Sequence, residues 1–159
     1  MIRSAAAGAW KIDPAAKTAE LVDGGKKTFT SSTRRQVARA AARVLAKQPA
    51  SMRNQTIFVA SFEVPMLTWL NAYKEIVGSD GWTVTSVTAE EMAKRSQAQL
   101  AAGDFANGYM GTALVVCTGE AYQNHYSSFT DLANKELELP EEDLLSVLKE
   151  GMALPNPFA

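Results

Sequence analysis

A helix that carries its own start and stop signals constrains this chain most. Thr33-Arg34-Arg35-Gln36 fits a capping box, in which a threonine hydroxyl and a glutamine side chain satisfy each other's free backbone N–H groups. Val37, Ala41, Val44 and Leu45 follow on one face at helical spacing, with Arg35, Arg39 and Arg43 opposite. Pro49 stops the run. The result is an amphipathic helix with one face toward a core and a charged face toward water.

Short extended runs and further helices surround it. Lys17 to Val22 and Lys26 to Thr30 flank Asp23-Gly24-Gly25, and Asp-Gly between two extended runs predicts a hairpin because glycine accepts the positive φ of the turn. Thr56-Ile57-Phe58-Val59-Ala60 reads as a buried strand. A helix begins near Pro65, with Met66, Trp69, Leu70, Tyr73, Ile76 and Val77 as its apolar stripe and Gly78 as its stop. Trp82 to Val87 alternates as a strand. Thr88 then caps a helix whose first turn holds Glu90 and Glu91, and Gly103 ends it. Asp104 caps a further apolar helix through Val116, and Asn124 to Thr130 is a polar loop. Pro140-Glu141-Glu142-Asp143 leads into a last helix, to about Glu150, with Leu144, Leu145, Val147 and Leu148 apolar. Residues 152–159, with Pro155-Asn156-Pro157, are expected to form a disordered tail. The order βββ-α-β-α-β-α-α-α makes an α/β chain with few short strands and about five helices.

Length and charge narrow the function classes. At 159 residues the chain is expected to be one domain, 1–159. Its 16 Lys+Arg and 17 Asp+Glu leave a formal net charge of −1, which excludes the broad basic field of a nucleic-acid binder. Cys117 is the single cysteine and cannot form an internal disulfide. With one histidine besides, a four-ligand structural zinc site is excluded. No apolar run is long enough to span a bilayer, and Met1 to Ala7 leads into no apolar signal core. The chain therefore reads as cytoplasmic, with neither membrane nor nucleic acid as a partner.

The candidate chemistry is sparse. Gly103, Gly108 and Gly111 are spaced G-x4-G-x2-G, which is neither the dinucleotide fingerprint nor a Walker loop, and they follow a helix where a phosphate cradle must follow a strand. Arg35, Arg39 and Arg43, with Arg34 and Lys47, could grip a cofactor phosphate or an acidic partner, but charged residues opposite an apolar stripe are what a surface helix shows. Histidine is the ordinary proton-transfer residue, yet His125 has no acidic residue within three positions to orient it. Cys117 reads as a small buried hydrophobe. Glu90-Glu91 and Glu141-Glu142-Asp143 are helix-start acids. Phe105, Tyr109 and Met110 form an aromatic and soft cluster flanked by glycines, of a kind that can line an apolar pocket.

The order of motifs carries a resemblance. Asp23-Gly24-Gly25-Lys26-Lys27-Thr28-Phe29-Thr30-Ser31 is followed by Arg34-Arg35-Gln36-Val37-Ala38-Arg39, then Ser61-Phe62-Glu63-Val64 and Gly81-Trp82-Thr83-Val84. Gly103-Asp104-Phe105, Leu132-Ala133-Asn134-Lys135 and Leu139-Pro140-Glu141-Glu142-Asp143-Leu144 complete the set. Together, from about Trp10 to Lys149, they resemble the C-terminal, substrate-side half of NmrA-like and isoflavone-reductase-like proteins. These are atypical short-chain dehydrogenases, and the fungal CipA-like and aromatic-alcohol-reductase branch is the most similar. The resemblance implies NADPH-dependent reduction of small aromatic compounds, or, in the regulator branch, dinucleotide sensing without turnover.

The family's Gly-rich NADP(H) loop and its upstream lysine lie outside the matched half, so no residue here inherits a catalytic or cofactor role. Gln36 stands where an acidic residue is usual, and His125 matches no family motif. The substrate-pocket set is Phe62, Phe105, Tyr109 and Met110, with no catalytic, cofactor-binding or metal-binding residue. The expectation is an oxidoreductase-family polypeptide that is incomplete and inactive alone. The alternatives are a non-catalytic binding or dinucleotide-sensing protein, or a degenerate fragment. An apolar face left without its cover implies self-association or a partner chain.

Overall fold

The computed structural model describes residues 10–154, so the tail expected at Pro155-Asn156-Pro157 lies outside the described residues. The strands are β1 (Ile12–Asp13), β2 (Thr18–Val22), β3 (Thr28–Ser31), β4 (Phe62–Pro65) and β5 (Thr83–Val87). The helices are α1 (Arg34–Lys47), α2 (Met66–Val77), α3 (Ala89–Ala101), α4 (Phe105–Thr118) and α5 (Leu144–Ala153). The α/β order is the one expected, but two of the strands are used differently.

The expected hairpin is not formed. β2 pairs with β1 on one edge, antiparallel, and with β5 on the other, parallel, so neither edge is free for β3. β3 instead pairs antiparallel with β4 in a second, two-stranded sheet. The Asp23–Gly25 turn between the sheets holds three successive positive φ values: 47°, 71° and 67°. Its Asp23 carboxylate accepts the Ala89 N–H at 2.9 Å, fastening the turn to the start of α3.

Thr56 to Ala60 is extended but joins no sheet, and the strand falls at Phe62–Pro65. Nor is it a buried segment: only Ala60 is buried, Ile57 to Val59 are half-buried and Thr56 is exposed, and its inward backbone groups are satisfied by the segment at 133–134. Phe58 O accepts from Ala133 N at 2.8 Å, and the Asn134 amide brackets Ala60, accepting its N–H at 3.0 Å and donating to its carbonyl at 2.6 Å. Ile57 and Val59 thereby cover a small second core of Ala40, Met52 and Leu137.

α1 begins at Thr33 as expected, with the hydroxyl accepting the Gln36 N–H at 2.8 Å, but only half of the box forms. Gln36 is buried and donates to the Pro140 carbonyl at 2.8 Å. The helix therefore buries Gln36 and Ala40 and leaves Val37 and Leu45 exposed, a rotation away from the expected face. Its arginines are not merely solvated. Arg35 and Arg39 pair with Glu142, Arg35 also with Glu150, and Arg43 and Lys47 with Glu138. These contacts fasten the C-terminal segment along α1.

The main core joins Trp10, Phe29, Phe62, Met66, Trp69, Leu70 and Tyr73 to Met92, Leu114, Val147 and Leu148. α3 and α4 form the closest helix pair, and α2 packs on α5, which runs past Glu150 to Ala153. Gly108 and Gly111 make the α3–α4 approach possible. A side chain on Gly108 would meet Leu100 Cγ at 2.6 Å, and one on Gly111 would meet Ser96 Oγ at 2.1 Å. Among the described residues no helix is long and apolar enough to cross a membrane.

Candidate functional site

Folding supplies the acidic partner that His125 lacks in sequence. Glu63 sits on β4, paired opposite Thr30 on β3, and the loop carrying His125 lies across both strands. Glu63 Oε1 accepts from Thr30 Oγ1 at 2.7 Å and from Ser127 N at 3.0 Å. Thr30 Oγ1 in turn accepts Tyr126 N at 2.8 Å. His125 Nε2 lies 3.0 Å from Ser127 Oγ and 3.7 Å from Glu63 Oε2. Burial alone would raise the Glu63 carboxyl, but the Ser127 and Thr30 hydrogen bonds and the neighbouring His125 outweigh it and hold the group below the ordinary carboxylate range.

Serine and carboxylate both approach the same ring nitrogen of His125. A nucleophilic triad needs them on opposite nitrogens, so that the imidazole takes the serine proton while the carboxylate holds its other N–H. Ser127 reaches Glu63 through its backbone N–H, and its hydroxyl lies against the same His125 nitrogen that faces the carboxylate. The cluster anchors the loop and does not generate a nucleophile.

Beside it lies an open cleft of about 330 Å³, bounded by Lys27, Thr28, Tyr122, Asn124, His125 and Ser128. The Lys27 ammonium is spent on the carbonyls of Gly119 at 2.6 Å, Glu120 at 3.0 Å and Tyr122, closing the C-terminal end of α4. Phe58, Tyr126 and Phe129 pack edge-to-face under the loop, with centroids 5.1–5.9 Å apart. Cys117 is half-buried against the main core and not fully buried as expected, and that burial pushes its thiol up from its ordinary value.

The pocket set read from the sequence falls in two places. Phe62 is in the main core, its ring edge-on to Trp69 at 5.7 Å. Phe105 and Tyr109 stack on each other at 6.2 Å along the outer face of α4, 58% and 65% exposed, and Met110 is half-buried on the same helix. The Glu63 contact was beyond sequence reasoning, because 62 positions separate it from His125 and the only signal is the register of β3 on β4.

The NADP(H) implied by the resemblance needs free helix N–H groups and close glycine backbone for its pyrophosphate, and the described residues have three strand-to-helix junctions where these could occur. At β3–α1 the Gln36 N–H is taken by Thr33. At β5–α3, Thr88 takes the Glu91 N–H and Asp23 that of Ala89. The β4–α2 junction is Pro65-Met66, without glycine. Gly108 and Gly111 lie within a helix, packed on Leu100 and Ser96. The described residues do not fit a dinucleotide.

Set against protein-family models, curated proteins and solved structures, the chain matches none.

Proposed function

We propose that this chain is the substrate-side part of an NmrA-like, isoflavone-reductase-like oxidoreductase, and that a separate dinucleotide-binding unit must supply NADP(H) for reduction of a small aromatic compound. The observation that carries the reading is the unfinished sheet. β5 runs parallel to β2 along all five residues, Thr18 to Val22 against Thr83 to Val87. Parallel pairs in α/β proteins are ordinarily covered on both faces and continued by further strands. Here β5 is the edge of its sheet, with Thr83 to Ser86 exposed and Val84 42% exposed on the face it shares with buried Ala19. A bare, uncharged edge of this kind is a template for another strand. The ordered motifs from Asp23 to Leu144 support the same reading.

The test is complementation. The chain is mixed with the isolated N-terminal Rossmann unit of an NmrA-like reductase, and NADPH oxidation is followed at its absorbance band with an aromatic ketone or aldehyde. Oxidation by the mixture and by neither part alone is the expected result. NADPH bound by the mixture without oxidation favours the dinucleotide-sensing alternative. A mixture that neither binds nor oxidises NADPH overturns the proposal.

A further inference from the structure

The loop at 124–130 is held to the second sheet through one carboxylate whose two oxygens do different things. Glu63 Oε1 carries two bonds, from Thr30 Oγ1 at 2.7 Å and from Ser127 N at 3.0 Å. Oε2 takes neither of them and faces His125 Nε2 at 3.7 Å. The same ring nitrogen lies 3.0 Å from the Ser127 hydroxyl. A neutral imidazole carries one N–H, whereas an imidazolium carries one on each nitrogen and brings a positive charge to an oxygen that can only accept. Around the ring, among the described residues, β4 gives Glu63 and β3 gives no titratable side chain. Lys27 borders the same cleft, but its ammonium is held by the carbonyls of Gly119, Glu120 and Tyr122. The Glu120 and Tyr122 side chains follow α4 and are exposed, Cys117 is half-buried at its end, and Tyr126 packs its ring on Phe58 and Phe129.

We propose that His125 is a pH-sensitive latch: on gaining a proton it pairs with Glu63 Oε2 and pins the loop at 124–130, one wall of the cleft of about 330 Å³, against β3 and β4. Histidine is the side chain that ordinarily takes up its proton within the physiological range, at about pH 6.5. Glu63 still carries its charge there. Burial works to raise its carboxyl, but the Ser127 and Thr30 bonds and the neighbouring ring together hold it below the ordinary carboxylate range. Cation and anion therefore coexist on the acid side of the ring's titration. Because the closed loop binds that proton more tightly than the open one, closure is fullest at mildly acid pH and is lost as pH rises through the titration. The effect is modest. With the histidine side chain 37% exposed, water screens the pair, and closure shifts by about threefold. This inference stands apart from the reductase reading, which concerns the β5 edge.

Amide exchange followed by NMR tests it at Tyr126 and Ser127, whose N–H groups are the loop's bonds to Thr30 and Glu63. Protection factors remove the intrinsic pH dependence of exchange. At these two amides they should rise about threefold between about pH 7.5 and about pH 5.5, while α5 amides do not follow. His125→Gln keeps a polar side chain but has no ring to titrate, and there the rise should vanish. Glu63→Gln still offers an acceptor to Thr30 and Ser127 but carries no charge, and there the rise should shrink. About 1 M NaCl should shrink it in the parent chain as well, as it does for any exposed ion pair. Equal protection at the two pH values in the parent chain overturns the proposal. So does a rise that survives in His125→Gln, which would place the titrating group elsewhere, or one of unchanged size in Glu63→Gln.

Discussion

Gly111 stands so close to Ser96 that a methyl group on its α-carbon would lie 2.1 Å from the serine hydroxyl. Ser96 is fully buried and its hydroxyl donates to the Met92 carbonyl at 2.8 Å, so it has nowhere to turn. Gly111→Ala should therefore destabilise the chain by about 1–3 kcal/mol through overpacking of α3 on α4. At this chain length that corresponds to a fall of about 2–12 °C in Tm. With Ser96 also changed to Ala, the nearest remaining contacts are 3.3 and 3.4 Å, and thermal unfolding should show more than half of the loss recovered. A Gly111→Ala variant as stable as the parent would contradict the helix packing described.

Glu142 closes the C-terminal segment onto α1, with a side chain only 3% exposed that accepts from Ser61 at 2.7 Å, Thr33 at 2.8 Å and Arg35 at 3.2 Å. Burial works to raise its carboxyl, but the Ser61, Thr33 and Arg35 bonds prevail and hold it below the usual 4.5. A carboxylate depressed in the folded state contributes stability that is full above its unfolded value and fades as pH falls through its folded one. Glu142→Gln should cost about 1–3 kcal/mol at neutral pH. It should also flatten the loss of stability below about pH 4.5, read from urea unfolding across pH. An unchanged acid limb would show that Glu142 is not the group responsible.

These two sites mark what the sequence could and could not disclose. Helix ends were legible where the stop or cap is local: Thr88 with Glu91, Asp104 and Gly78 all act within a turn of their own residue. Pairing was not. Asp23-Gly24-Gly25 has the composition of a hairpin turn, yet β5 from sixty positions later occupies the edge of β2 that a hairpin would need. The face of α1 was misjudged for a related reason. Glu138, Glu142 and Glu150 draw its arginines toward the protein, and no periodicity within α1 carries that information. Thr56 to Ala60 has a strand's composition, but its partner is the Asn134 side chain and not a ladder. Of the candidate site, His125 was visible as a residue type, and Glu63 was not.

The loop at 124–130 depends on Glu63 for its hold on β3 and β4. Glu63→Ala removes the acceptor of Ser127 N and loosens Thr30, which carries Tyr126 N. Amide exchange at Tyr126 and Ser127 should accelerate at least tenfold, while α5 amides keep their protection, because opening is local. His125→Ala should have a smaller effect, as its ring reaches Glu63 only at 3.7 Å. Equal acceleration in both variants would assign the anchoring to His125 instead.

The proposed function requires that this chain take NADP(H) only from a separate unit and bind no dinucleotide by itself. Calorimetric titration of the purified chain with NADPH measures this most directly, with the fluorescence of Trp10, Trp69 and Trp82 as a second signal. No saturable heat and no quenching are expected up to about 1 mM, a range that covers even weak binding. A one-to-one complex at micromolar NADPH would contradict it, since the strand-to-helix junctions at Thr33, Pro65 and Thr88 would then have to receive a pyrophosphate that their geometry does not accommodate.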